Sequence, residues 1–265
     1  MKLYGRVPNV LMYVGFAFLY LPIIMLILYS FNSSKIVTVW AGFSTIWYYE
    51  LWGDKELIKA FITSLKIASV SATLSTLFGL LAGISLSRFP KFKGRTLLSG
   101  MLSAPFVVPE VVTGFSLLMF FIAISELFDA SSSRGMGTVI IAHTTIGIAY
   151  VALIVQSKLT TFDHSLEDAA LDLGCRPFKV FLVITLPLIM PAIIGGWLMA
   201  FTISLDDLVI SSFTSGPGAV TLPMLIYSRV RLGVSPAINA LTTIFVVFVT
   251  IAALITSNLI LKKKN

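Results

Sequence analysis

The chain has 265 residues, 57% of them hydrophobic and only 12% charged, with a formal net charge of +7. Soluble domains carry about 25% charged residues, so this composition excludes an ordinary water-solvated globule and makes lipid the main solvent. The excess of Lys and Arg does not mark a nucleic-acid surface, because those residues gather between apolar stretches, where they act as orientation signals.

A membrane-crossing helix needs about 20 predominantly apolar residues. Six stretches qualify, roughly 9–31, 58–86, 97–123, 136–155, 188–212 and 237–261. The first is too long for a signal-peptide core and no small-residue cleavage site follows it, so it reads as a retained first helix. The 32–57 loop carries Trp40, Phe43, Trp47, Tyr48, Tyr49 and Trp52. Trp and Tyr favour the membrane–water boundary, so this loop is expected to lie on the outer leaflet and to offer a platform for an extracytoplasmic binding protein. Gly79 and Gly83 place a G-x-x-x-G in the second span, a spacing that lets helices approach closely.

The third span contains APFVVPEVVTG, with Pro105 and Pro109 ahead of Glu110. Two prolines interrupt the helical ladder, and a broken helix at membrane depth is tolerated where it lines a cavity or is buried in protein. His143 lies in the fourth span and His164 beyond it, and both are expected to be packing or surface residues. Tyr150 and Trp197 are read as core aromatics, although either ring could stack on a cation.

The 156–187 segment follows. Leu166, Ala169, Ala170 and Leu173 recur at helical spacing and define one apolar face, with Glu167, Asp168 and Asp172 opposite. Gly174 can take positive φ and end that helix, and Pro177 suits the first turn of the next. The result is a compact helix-turn-helix shaped to sit in a cleft on another protein. Cys175 is the single cysteine, which leaves no disulfide within one chain and no cysteine-based metal site. Asp206 and Asp207 are expected midway along a continuous fifth span, FTISLDDLVISSF, with Thr202 and Asp206 on one face and Ser204, Asp207 and Ser211 on another. SGPGAVTLP, from Ser215 to Pro223, reads as a constrained re-entrant or lid-like loop.

With six spans both termini share a side. The N-terminus, the 87–96 and 156–187 loops and the C-terminus hold twelve Lys and Arg: Lys2, Arg6, Arg88, Lys91, Lys93, Arg95, Lys158, Arg176, Lys179, Lys262, Lys263 and Lys264. The other side holds six, Lys35, Lys55, Lys59, Arg134, Arg229 and Arg231, with Lys66 inside the second span. The positive-inside rule therefore places both termini in the cytoplasm.

Glu110, Asp206 and Asp207 are the only acids within the apolar spans. Intramembrane carboxylates are costly and mark functional sites by default. Lining a pore they would suit a cationic substrate through charge-assisted hydrogen bonds. The alternative is that they pair with a neighbouring helix or with Lys66, or cap a helix break. No G-x-x-x-x-G-K-[ST] occurs, and no cytoplasmic stretch is long enough for a nucleotide-binding domain. The chain is thus expected to carry no ATPase site, and not to be an enzyme by itself. A proton-driven secondary transporter, with Glu110 and Asp206 as relay groups, is the rival class, but no repeat between the two halves supports it.

The segment from Asp168 to Pro187 resembles the EAA loop of ABC importer permeases, the cytoplasmic coupling helix moved by the ATPase. That pattern reads E-A-A, three residues, Gly, nine residues, Ile-x-Leu-Pro. Asp168, Ala169, Ala170, Gly174, Ile184, Leu186 and Pro187 fall at those spacings, with Asp168 in place of the usual Glu. SFNSSK, VWAGFSTIWY, APFVVPEVVTG, SLDDLVISSFTSGPG, TLPMLIYSRVRLGVSP and INALTT are similar to the polyamine branch of type I ABC importer permeases, its putrescine-carrying members ahead of the spermidine/putrescine ones. The resemblance implies an all-α integral membrane protein with the six-helix MetI-like fold, a single permease domain over 1–265, in a bacterial inner membrane. It implies as partners a homologous second permease, two ATPase subunits that bind ATP and Mg, a periplasmic polyamine-binding protein and lipid, with no nucleic acid and no cofactor or metal in this chain. It places pore carboxylates on Glu110 and Asp206, with Asp207 the weaker candidate.

Overall fold

The computed structural model describes residues 6–36, 39–127, 134–232 and 236–262. Lys2, Lys263 and Lys264 of the charge count, and residues 233–235, lie outside that set. Every regular element among the described residues is helical, the only extended pairing being an antiparallel bridge between Asn32 and Phe43. In chain order the helices are α1 (Arg6–Tyr29), α2 (Ile46–Gly53), α3 (Lys55–Arg88), α4 (Arg95–Val107), α5 (Glu110–Leu127) and α6 (Met136–Thr160). There follow α7 (Ser165–Asp172), α8 (Pro177–Val180), a π-helical turn (Phe181–Thr185), α9 (Leu186–Asp206), α10 (Val209–Thr214), α11 (Leu222–Leu232) and α12 (Pro236–Lys262).

Five stretches of the described residues are long and apolar enough to cross a membrane: Val10–Tyr29, Lys55–Arg88, Glu110–Leu127, Met136–Thr160 and Pro177–Asp206. Two differ from the expected spans. The 97–123 stretch, expected as one span broken at its prolines, is divided into α4 and α5 at Val108–Pro109, while Pro105 is held inside α4. Proline lacks the amide hydrogen that would continue the ladder, so α4 closes with the Val108 N–H on the Ala104 carbonyl at 2.9 Å. The stretch expected to run over 188–212 ends at Asp206, and Asp207 is extended, with φ −66° and ψ 125°. The two acids therefore sit at a helix end, and helical spacing does not govern which way Asp207 faces.

The chain forms two compact units. One comprises residues up to Ile58 together with those from Ile226 onward. Within it α12 packs on α1 and α2, and Leu11, Phe18 and Leu19 leave α1 apolar and exposed, as a lipid-facing helix must be. Asn32 organises the turn before α2: its side chain donates to the Val39 carbonyl at 2.7 Å and accepts from the Ala41 N–H at 2.9 Å. Trp47 is buried, donating through Nε1 to the Asn32 carbonyl at 2.5 Å. Trp40, Phe43, Tyr49 and Trp52 remain exposed, Trp52 by 78%. Arg229 binds both Asp54 and Glu56, and its guanidinium holds the Asp54 carboxyl below the usual carboxylate range.

The second unit, Lys59–Leu225, is built on α3, α6 and α9. Ala72, Val151, Val155, Leu159, Ile189 and Ala200 form its buried core. Small residues set how closely these helices approach. A Cβ on Gly79 would lie 2.6 Å from the Val151 Cβ, and one on Gly83 would lie 2.9 Å from the Ala152 carbonyl oxygen. The G-x-x-x-G is thus the contact of α3 with α6. Hydroxyls on α3 are satisfied along the helix itself, as with Ser71 on the Ile67 carbonyl at 2.7 Å and Thr76 on the Ala72 carbonyl at 2.7 Å, which suits a helix with no water to bind. A second buried group, Phe121, Ala142, Ile146 and Ile210, joins α5, α6 and α10.

Candidate functional site

Both helix breaks of the second unit open onto one cavity of about 330 Å³, whose polar lining includes Glu110, Thr113, His143, Ser204, Asp206 and Asp207. Glu110 is the first residue of α5, where a carboxylate offsets the positive end of the helix dipole. The Pro109 carbonyl accepts from the Val112 and Thr113 N–H groups at 3.0 and 3.1 Å, which starts the new helix. Asp206 closes α9, where carbonyl dipoles already give a partial negative charge. Among the described residues neither Glu110 nor Asp206 has an ion-pair partner, and Lys66 pairs with none of the three acids. The cavity thus presents two free carboxylates and the carbonyl end of a helix, an arrangement suited to cations. Tyr150 also lines it, its ring edge-on to Phe106 at 4.8 Å. Trp197 does not: it stacks on Phe201 at 5.1 Å and donates to Thr73 at 3.2 Å.

Asp207 has a different situation. Its carboxylate accepts from the Ile210 and Ser211 N–H groups at 3.2 and 2.7 Å, capping α10. The third partner is His143, which is only 6% exposed and lies with Nε2 3.1 Å from Oδ2. The other imidazole nitrogen is 2.6 Å from Ser204, which in turn meets Ser71 at 3.1 Å. A neutral imidazole satisfies this chain by donating from Nε2 to Asp207 and accepting from Ser204 at Nδ1. Ser204, Asp207 and Ser211, grouped from the sequence as one helical face, do converge, but on His143 and across a helix break. Sequence reasoning missed His143; the signal that could have found it was that an ionisable group inside a span is a functional candidate by default.

Replacing Asp207 with Ala should remove the cap and leave His143 Nε2 with the Ser211 hydroxyl, 3.1 Å away, as its remaining partner, a loss of about 1–2 kcal/mol that comes mainly from the cap. The expected result is less folded protein in the membrane, with transport falling in step. Quantifying assembled protein beside transport checks this: a larger loss of transport per folded molecule would return Asp207 to the substrate path.

The segment matching the EAA pattern is described in full. Asp168, Ala169, Gly174 and Pro187 are exposed, Ile184 and Leu186 half-buried, and Ala170 buried. Gly174 has φ +83°. The Cys175 N–H reaches the Ala170 carbonyl at 3.1 Å and the Gly174 N–H reaches that of Leu171 at 2.9 Å, the paired bonds of a left-handed helix stop. The expected division of faces needs correction in one respect. Glu167 does not lie on an exposed acidic face; it is 7% exposed and points inward. Both guanidinium nitrogens of Arg88 bind its carboxylate, Thr185 donates to it, and His164 lies 3.4 Å away. The Arg88 guanidinium, with Thr185 assisting against burial, holds this carboxyl at about 2, so it is ionised throughout the neutral range. Leu166, Leu173 and Phe178 face outward, Leu173 by 86% and Phe178 by 73%. A group of exposed apolar side chains on a short polar-flanked helix marks a protein or membrane contact.

The family of binding-protein-dependent transport system inner membrane components matches residues 75–263. Over 235 residues the chain is 54% identical to the putrescine transport system permease protein PotI of Escherichia coli strain K12, covering 89% of this chain and 84% of that one. It is 41% identical over 257 residues to the spermidine/putrescine transport system permease protein PotC of Haemophilus influenzae, covering 97% of each. Among solved structures, a bacterial ABC transporter involved in the import of the acidic polysaccharide alginate superposes with a TM-score of 0.76 at 16% identity, covering 97% of this chain and 96% of that one. The MetNI methionine ABC transporter does so with a TM-score of 0.59 at 17% identity, covering 76% and 92%. These two bear on the fold alone.

Proposed function

The chain belongs to the family of binding-protein-dependent transport system inner membrane components, and from that premise we propose that it is the permease subunit of an ABC importer that carries polyamines, putrescine foremost, into the cytoplasm. The observation that carries this reading is the cavity between the two helix breaks, which holds Glu110 and Asp206 without cationic partners among the described residues. A diamine brings two ammonium groups to such a site, each able to form a charge-assisted hydrogen bond. The resemblance to polyamine permeases over most of the chain supports the same substrate class.

The chain forms one permease domain of six spans, the sixth on α12, with both termini in the cytoplasm of a bacterium and the chain in its inner membrane. A homologous second permease completes the pore. Two ATPase subunits, which hold ATP and Mg, seat the exposed apolar face of α7 and the Gly174 turn. A periplasmic polyamine-binding protein docks on the opposite side. In that arrangement ATP-driven closure of the ATPases moves α7, the pore opens outward, and the amine passes Glu110 and Asp206 on its way in. Those contacts are weak enough to release it, as conduction requires.

A competition assay tests the substrate class. In cells whose other polyamine uptake is removed, the four-component system should import labelled putrescine, and unlabelled putrescine or spermidine should displace it. Import unaffected by either amine, but suppressed by an amino acid or sugar, would refute the polyamine reading.

A further inference from the structure

Helix α7 has eight residues, and its apolar side chains at Leu166 and Leu171, with Leu173 just after it, face outward. Only Glu167 and Ala170 of α7 are buried. Its inward attachment, beyond the covalent turns at either end and the small side chain of Ala170, is the Glu167 carboxylate. That carboxylate meets two membrane helices at once. Arg88, which grips it with both terminal nitrogens, is the last residue of the 34-residue α3. Thr185, which donates to it from a buried position, ends the π-helical turn that leads into α9.

Each part of the cluster is itself constrained. The guanidinium carbon of Arg88 stands 5.9 Å from the centre of the Phe162 ring, a cation–π distance. A two-pronged Arg–carboxylate contact fixes both separation and plane. Its partial burial, with the Arg88 side chain 28% and that of Glu167 9% exposed, weakens screening by salt. The π-helical turn is a rare form that is frequent at functional sites, and here it carries the hydroxyl that completes the cluster.

We propose that the Arg88–Glu167–Thr185 cluster is the strut that passes movement of α7 into α3 and α9, so that Arg88 and Glu167 are positioning residues for coupling. This rests on the reading of α7 as the ATPase-facing helix. A helix tied to its neighbours only by turns would tilt under load without shifting α3 or α9. The ion pair makes α7 and the ends of both membrane helices move together. It works in either direction, since docking of a binding protein outside must reach the ATPase through the same contacts.

The test uses the assembled complex of this chain with its second permease, ATPase and binding protein in proteoliposomes. R88Q, E167Q and the R88Q/E167Q double variant are compared for amine imported per ATP hydrolysed and for stimulation of hydrolysis by the binding protein. Each single variant should lose at least tenfold in both readouts, and the double variant should be no worse than the singles. T185V, which leaves the ion pair in place, should lose severalfold, and T185S should restore the wild-type ratio. That pair keeps the test decisive if a charge variant fails to assemble. Wild-type ratios in E167Q and T185V, or losses that multiply in the double variant, would overturn the strut. A wild-type complex whose ATP hydrolysis responds to the binding protein but which imports no amine would instead refute the polyamine reading, and the stimulation readout would still decide the strut.

Discussion

Replacing Glu110 with Gln, or Asp206 with Asn, is expected to cut polyamine import at least tenfold while leaving the complex assembled and able to hydrolyse ATP. Both carboxylates line the same cavity and neither is engaged in an ion pair among the described residues. A hydrogen bond to a charged group contributes about 1.5–3 kcal/mol, and about 1.4 kcal/mol corresponds to a factor of ten. Losing one such contact during passage therefore gives an effect of at least that order. The amides are close in shape to the acids they replace and no ion pair is lost, so stability should change little, by about 0.3–1 kcal/mol for the charge of Glu110 at the start of α5. The contrast with Asp207 is informative. That carboxylate caps α10 and holds His143, so its loss should show as missing protein. Import and assembled complex, measured together for the three positions, should separate them. Normal import in both E110Q and D206N would remove these residues from the substrate path.

Replacing Gly174 with Val should leave the membrane helices folded but reduce import per ATP hydrolysed by tenfold or more. Gly174 holds φ +83°, and a Cβ there would meet nothing within 4 Å. The penalty is therefore one of backbone conformation rather than crowding. An L-residue in the left-handed region costs about 1–2 kcal/mol, and a β-branched one fits there especially poorly. The chain would escape that strain by opening the turn, which would break the bonds from Gly174 and Cys175 back to α7 and re-aim the exposed Leu173. Asn, which tolerates this region better than other residues, should retain much of the coupling. Equal import per ATP in the wild type and in G174V would mean that this turn plays no part in coupling.

Legibility from sequence followed distance along the chain. The turn after α7 was readable because its signals are neighbours: Gly174 supplies the positive φ and Pro177 begins the next helix. The α4–α5 break was readable because Pro109 announces it. The α9–α10 break was not, because no glycine or proline marks Asp206–Asp207; it is held by His143, 64 residues away from Asp207. The inward turn of Glu167 was hidden for the same reason. An acid on a short amphipathic helix reads as solvated until Arg88, 79 residues earlier, is brought against it. The relation of Gly79 to Val151 likewise needed the packed helices, although the G-x-x-x-G spacing pointed to close approach.

The central claim is that this chain passes an amine through the membrane using work done by a separate ATPase. Uptake of radiolabelled putrescine into proteoliposomes holding the chain, its second permease, the ATPase and the binding protein, with ATP enclosed or withheld, tests it most directly. The account predicts accumulation only when ATP is inside and the binding protein outside, suppressed by unlabelled putrescine. Accumulation that ignores ATP and follows an imposed proton gradient would contradict it.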